Sequence, residues 1–193
     1  MKADSELIAR DPDCGLLRRD FLKVGVGFSV ALTLGTAIVG CGDAAKTPAS
    51  GFGFLRAGDV ELFSALAPAV VIELGKFEAA KRKTLVDDLL RNLDGTCSAL
   101  GQSSQQELRK LLDLLAIAPL RYVLTGVGAW NEAGVDKMQA FLSRWRGSRF
   151  ATLNAGGNVL VKLTSSSFYV LPASWPPAGY AGPWPVMFNA VNS

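Results

Sequence analysis

Apolar side chains recur three and four positions apart in four separate stretches of this chain, and none of the four alternates with a period of two. That spacing matches the 3.6-residue helical turn and selects helices packed on helices rather than sheets. Asp59 is placed to cap a first helix through Leu62, Phe63, Leu66 and Val70, with Pro68 expected to kink or interrupt it. A second is expected from about Lys76 to Leu93, with Phe77, Leu85, Leu89 and Leu93 on one face and Gly95 as its stop. Ser104-Gln105-Gln106-Glu107 has the form of a capping box, followed by Leu108, Leu111, Leu112, Leu114 and Leu115, with Pro119 closing the run. Gly134 to Arg146 carries Val135, Met138, Phe141, Leu142 and Trp145 at the same spacing. The expected fold class is all-α, an irregular helical bundle with an extended Pro/Trp-rich C-terminal tail.

Two stretches resist this pattern. Residues 148–171 read either as a turn at Asn154-Ala155-Gly156-Gly157-Asn158 leading into a strand, or as a helix with a stripe through Phe150, Leu153, Gly157, Leu160, Thr164 and Phe168. The two glycines cost a helix about 2 kcal/mol relative to alanine. A lone strand has no partner elsewhere in the chain, so the helix is preferred. Beyond it, five of the nine prolines fall at 172, 176, 177, 183 and 185, interleaved with Trp175, Tyr180 and Trp184. No charged residue follows Lys162. Such a tail is neither a regular helix nor a central strand. It either folds over its own domain or packs against another protein.

The N-terminus reads as an address. Leu17-Arg18-Arg19-Asp20-Phe21-Leu22-Lys23 precedes sixteen uncharged residues, Val24 to Val39, of which ten are apolar and three are glycine. Sixteen residues fall short of the roughly 20 that a membrane span needs, so the run fits a secretory signal. The basic stretch resembles the twin-arginine (Tat) export signal through Arg18, Arg19, Phe21, Leu22 and Lys23, departing from it only at Leu17. Ile38-Val39-Gly40-Cys41 resembles a lipobox, which implies a diacylglycerol on Cys41. The expected organisation is a signal over 1–40, a flexible tether over 41–53, a helical domain over 54–171 and the tail over 172–193. The implied location is the periplasm, with a lipid anchor in a bacterial membrane.

The chain has no histidine, which removes Ser-His-Asp and Cys-His machinery and His-bound metals. Neither a phosphate-binding GxxxxGK[ST] loop nor a dinucleotide fingerprint is present. With Cys41 lipidated and Cys14 removed with the signal, Cys97 stands alone and reads as a buried apolar residue rather than a redox group. Asp87 and Asp88 are adjacent, so on a helix they diverge by about 100° and do not share one substrate. No catalytic residue, metal ligand or cofactor site is expected on this chain. A net charge of +3 is too small to make nucleic acid the partner.

One further pattern lies between residues 138 and 183. Met138-Gln139-Ala140-Phe141-Leu142-Ser143-Arg144-Trp145-Arg146-Gly147-Ser148-Arg149-Phe150 is followed by Thr152-Leu153-Asn154, Leu163-Thr164, Phe168-Tyr169, Pro172, Trp175 and Gly179-Tyr180-Ala181-Gly182-Pro183. Together these resemble the small subunit of bacterial periplasmic flavin-dependent dehydrogenases, the gluconate 2-dehydrogenase subunit 3 type. The chain departs from that pattern at Gly156-Gly157-Asn158 and at Ala181. The resemblance implies a Tat-exported helical accessory subunit, not itself an enzyme. Its partner would be a GMC-type dehydrogenase large subunit that carries FAD and the catalytic histidine. Arg144, Arg146 and Arg149 then read as an ion-pairing surface, against the alternative of a solvated helix end. Trp175, Tyr180 and Trp184 read as interface anchors. A different class of function remains open, a free-standing periplasmic lipoprotein serving as a ligand-binding or scaffold module.

Overall fold

A computed structural model describes residues 47–184, 186 and 190. Six α-helices run through them: α1 Ala57–Val70, α2 Ala79–Ser98, α3 Gln102–Ala116, α4 Ala118–Thr125, α5 Val135–Arg146 and α6 Ala151–Tyr169. Short 3-10 turns span Ile72–Lys76, Trp130–Glu132 and Pro172–Ser174, and no strand occurs among the described residues. The domain is all-α, and the ambiguous stretch after residue 148 is a helix. Helix α6 packs against α1, α2 and α5, while α1 also packs against α2, α3 and the Trp130–Glu132 turn. Leu62, Phe63, Leu66, Leu85, Leu89, Leu93, Leu108, Leu112, Phe141 and Trp145 close the core between them. The export residues Arg18, Arg19, Phe21, Leu22 and Lys23, and Cys41, lie outside the described residues.

Several helix ends differ from expectation, each for a local reason. Helix α1 starts two residues before Asp59, with Arg56 as its N-cap, and Asp59 reaches back from the third helical position to accept the Arg56 amide at 3.0 Å. Pro68 does not break α1, because the helix ends two residues later at Val70 and little of it remains to disrupt. Helix α2 starts at Ala79 rather than near Lys76 and runs past Gly95 to Ser98, which seals Cys97 in the core. Burial pushes the Cys97 thiol up to about 12, leaving it an unreactive thiol at neutral pH. Helix α3 begins at Gln102 instead of forming the expected box at Ser104. The Gln105 amide instead donates to the carbonyls of Cys97 and Ser98, closing the end of α2. Pro119, expected as a terminator, sits in the first turn of α4, where its missing N–H is harmless.

Gly156 and Gly157 do not loosen α6. They are where α5 and α6 come closest. A Cβ on Gly156 would lie 3.0 Å from Trp145 Cζ3, and one on Gly157 would lie 3.1 Å from both Trp145 Cβ and Arg146 Cγ. The cost to the helix is thus exchanged for the seat of a buried tryptophan, which stacks edge-on to Phe141 at 4.9 Å and donates its indole N–H to the Leu124 carbonyl at 2.9 Å. Gly95 in α2 lies at the surface, and a Cβ there would meet nothing within 4 Å. Alanine at 95 is therefore expected to raise the unfolding free energy by about 0.5–1 kcal/mol. Alanine at 157 is expected to lower it by about 1–2 kcal/mol, because overpacking against rigid atoms outweighs the gain in helix propensity. Urea denaturation of the two variants reads both signs.

The chain joins the domain earlier than residue 54. The Ala49 amide donates to the Leu55 carbonyl at 2.8 Å, and Asp94 accepts the amides of Gly53, Phe54 and Leu55, each at 2.8 Å. Burial opposes ionisation of Asp94, yet the three amides prevail and hold its carboxyl below the ordinary value of 3.8. A carboxyl depressed on folding contributes stability above its unfolded pKa, and that contribution fades as pH falls through the folded one. The thermal midpoint is expected to drop below about pH 4, and Asp94→Asn is expected to flatten that acid limb. Parallel acid limbs in the two proteins would assign the acid sensitivity elsewhere.

Candidate partner-binding surface

Helix α5 ends with Arg144 and Arg146 in its last turn, where the carbonyl end of the helix dipole favours cations. Trp145 between them points into the core, 1% exposed. Successive helical residues point about 100° apart, so with Trp145 inward Arg144 and Arg146 diverge to opposite flanks of α5. Arg144 donates from Nη2 to the Leu124 carbonyl at 2.8 Å, the acceptor it shares with Trp145, so it ties α4 to α5. Arg146 donates from Nε to Asn158 Oδ1 on α6 at 3.1 Å. Arg149 lies in the connection to α6, its guanidinium 5.2 Å from the ring centre of Phe150, which is itself 60% exposed. All three arginines are exposed, and among the described residues none has a carboxylate within 4.0 Å.

Some charges elsewhere are paired. Asp87 pairs with Lys83 at 2.9 Å and Asp88 with Arg91 at 3.0 Å, two ordinary surface pairs along α2. Asp59, with 4% of its side chain exposed, is held by Arg56 at 3.0 Å and by Arg109 at 2.9 Å, and Arg56 also meets Asp113 at 2.6 Å. Arg109 further donates to the Phe54 carbonyl and lies over the Phe54 ring at 3.9 Å. This network staples the start of the domain to α3 and is structural.

The tail divides. Trp175 is half-buried, donates from Nε1 to the Tyr169 carbonyl at 3.1 Å, and stands edge-on to Tyr180 at 5.7 Å. Gly182, at φ +96°, is so close that a Cβ would come within 3.1 Å of the Trp175 ring. Lys76 donates to the Pro177 carbonyl at 3.0 Å. The first part of the tail therefore folds onto the end of α6 and the Ile72–Lys76 turn. Trp184 is 72% exposed, and Tyr180 is half-exposed. Ile72, Tyr169 and Val170 are also exposed, and the Tyr169 hydroxyl donates to Glu73 Oε2 at 2.7 Å.

The arginines precede α6 and the tail aromatics follow it. A 19-residue helix is about 28 Å long, so they form two patches, not one. An interface of standard size covers about 800 Å² a side, a disc roughly 32 Å across, which reaches from one to the other. At the arginine end, α1, α5 and α6 border an open cleft of about 550 Å³, lined by Val70, Gln139, Leu142, Arg146, Asn158 and Val161. In sequence Gln139 and Asn154 belong to the resembling run and Asn154 and Asn158 to the possible turn, and none of the three is marked as part of a surface. The one signal for them is a pair of asparagines four apart inside a helix, where asparagine is a poor former. Compared with protein-family models, with curated proteins and with solved structures, the chain matches none of them.

Proposed function

We propose that this chain is a non-catalytic accessory subunit that escorts, stabilises and membrane-anchors a FAD-dependent, GMC-type alcohol or sugar dehydrogenase exported by the twin-arginine pathway. The observation that carries the reading is the run Arg144-Trp145-Arg146-Gly147-Ser148-Arg149-Phe150. Its tryptophan packs the bundle while its three arginines face outward, without counter-charges among the described residues. The helix dipole accommodates Arg144 and Arg146, and a charge-complementary partner supplies the counter-charges that the run lacks. The exposed Trp184 supports the same reading, because an uncharged aromatic patch is costly to leave in water. The flavin and the chemistry belong to the partner, the Tat signal and the Cys41 lipid to this chain. Co-expression with a GMC-type dehydrogenase, sought first among the genes neighbouring its own, tests this. The expected product is a stoichiometric, flavin-containing complex, while the chain purified alone is colourless and inactive with an artificial electron acceptor. Flavin retained by the chain alone, or no complex, contradicts the proposal.

A further inference from the structure

The cleft between α1, α5 and α6 holds a guanidinium that the fold orients but does not neutralise. Arg146 Nε donates to Asn158 Oδ1 at 3.1 Å, and Asn158 Nδ2 donates to Asn154 Oδ1 at 3.0 Å. Asn154 Nδ2 then donates to the Arg146 carbonyl, so the chain of hydrogen bonds closes on the residue where it began. Gly157 lets the Arg146 stem lie flat on α6, since a Cβ there would meet Cγ at 3.1 Å. Fixing Nε this way leaves the two terminal nitrogens, the fork that grips a carboxylate through two parallel hydrogen bonds. No carboxylate among the described residues lies within 4.0 Å of it. Residues 133–193 contain five basic side chains (Lys137, Arg144, Arg146, Arg149 and Lys162) against one acidic one, Asp136, while α1, the third wall of the cleft, carries Asp59 and Glu61.

Val70 of α1, Leu142 of α5 and Val161 of α6 line the cleft beside Arg146, together with Gln139, Ser143 and Asn158. The geometry points to a docking slot for a short segment of the partner flavoprotein whose Asp or Glu carboxylate is held by Arg146. This rests on the accessory-subunit reading and deepens it. A small molecule is the poorer occupant, because sites for small ligands bury most of the ligand surface and this cleft is open along one side.

The test uses the full-length chain and the co-expressed flavoprotein, with dissociation constants measured by titration at several salt concentrations. Arg146→Glu is expected to weaken the complex tenfold or more and to reduce its salt dependence. Arg146→Lys keeps the charge without the fork and is expected to fall between the two. Asn158→Ala, which frees the guanidinium without removing it, is expected to weaken binding less than Arg146→Glu. Lys83→Glu, on the exposed face of α2, is the charge-matched control expected to bind normally. Thermal unfolding establishes that each variant is folded. Should Arg146→Glu not fold, the pair Arg146→Lys and Asn158→Ala decides, and wild-type affinity in both overturns the slot. A wild-type complex undisturbed by a folded Arg146→Glu overturns the slot and leaves the accessory reading standing. Failure of the wild-type chain to bind the flavoprotein overturns both.

Discussion

Asp59→Ala is expected to lower the unfolding free energy by about 3 kcal/mol, from the breaking of a buried charge network. The carboxylate is 4% exposed and serves three donors: the Arg56 amide, the Arg56 guanidinium and the Arg109 guanidinium. Removing it leaves two cations facing each other in a partly desolvated site. Arg56 keeps Asp113, and Arg109 keeps the Phe54 carbonyl, which places the loss at the low end of the range for buried pairs. Asp113→Ala, at a side chain 45% exposed, is expected to cost well under half as much. Denaturant midpoints at neutral pH measure both. Equal losses in the two variants would mean that the network is no more than a surface ion pair.

Removing residues 183–193 is expected to leave the helical circular-dichroism spectrum and thermal midpoint nearly unchanged while cutting recovery of the flavoprotein by tenfold or more. The cut falls after Gly182, so the contacts of Ser174, Trp175 and Tyr180 are kept, while Trp184 and Phe188 are lost. A tryptophan anchor at an interface centre is commonly worth 2 kcal/mol or more, about thirtyfold in affinity. Cutting earlier, after Leu171, removes fully buried Ser174 and the Trp175 bond to Tyr169 as well. That longer truncation is expected to lose stability in addition to binding, though the six helices do not need the tail to form. Full recovery of the flavoprotein with the shorter truncation would remove the tail from the interface.

Helix α5 was legible nearly residue for residue, because Met138, Phe141, Leu142 and Trp145 lie on one stripe and all four are buried. The leucine face of α3 was legible for the same reason, although its start was not. What local pattern misjudged were the punctuation residues. Gly95 and Pro68 are unfavourable inside a helix, but packing of Cys97 and the nearness of an end decided otherwise. Helix α4 was hidden because Pro119 reads equally as a stop or a start, and because exposed Tyr122 and Val123 blur its apolar stripe. The Gly156-Gly157 pair carried the opposite sense from its propensity, since a glycine that seats a tryptophan looks in sequence like one that weakens a helix.

The candidate surface was legible in its residue types but not in its arrangement. Three arginines in six residues and a charge-free aromatic tail are visible in one dimension. Their placement at opposite ends of α6 is set by that helix's length, and the cleft beside Arg146 requires α1 to pack alongside, across 91 positions of sequence from Val70 to Val161. The Arg146–Asn158–Asn154 ring and the Asp94 and Asp59 clamps are likewise contacts between helices, which periodicity along one helix does not encode.

The proposed role is that of an escort, in which a flavoprotein leaves the cytoplasm on the export signal of this chain. The most direct measurement is dehydrogenase activity in periplasmic and cytoplasmic fractions of cells expressing both proteins, with Arg18 and Arg19 of this chain either intact or both replaced by lysine. With the arginines intact, activity is expected in the periplasmic and membrane fractions. With Arg18→Lys and Arg19→Lys together, both proteins are expected to remain in the cytoplasm, the flavoprotein still bound and active. Flavoprotein that reaches the periplasm at its normal level beside the double variant would contradict the escort role.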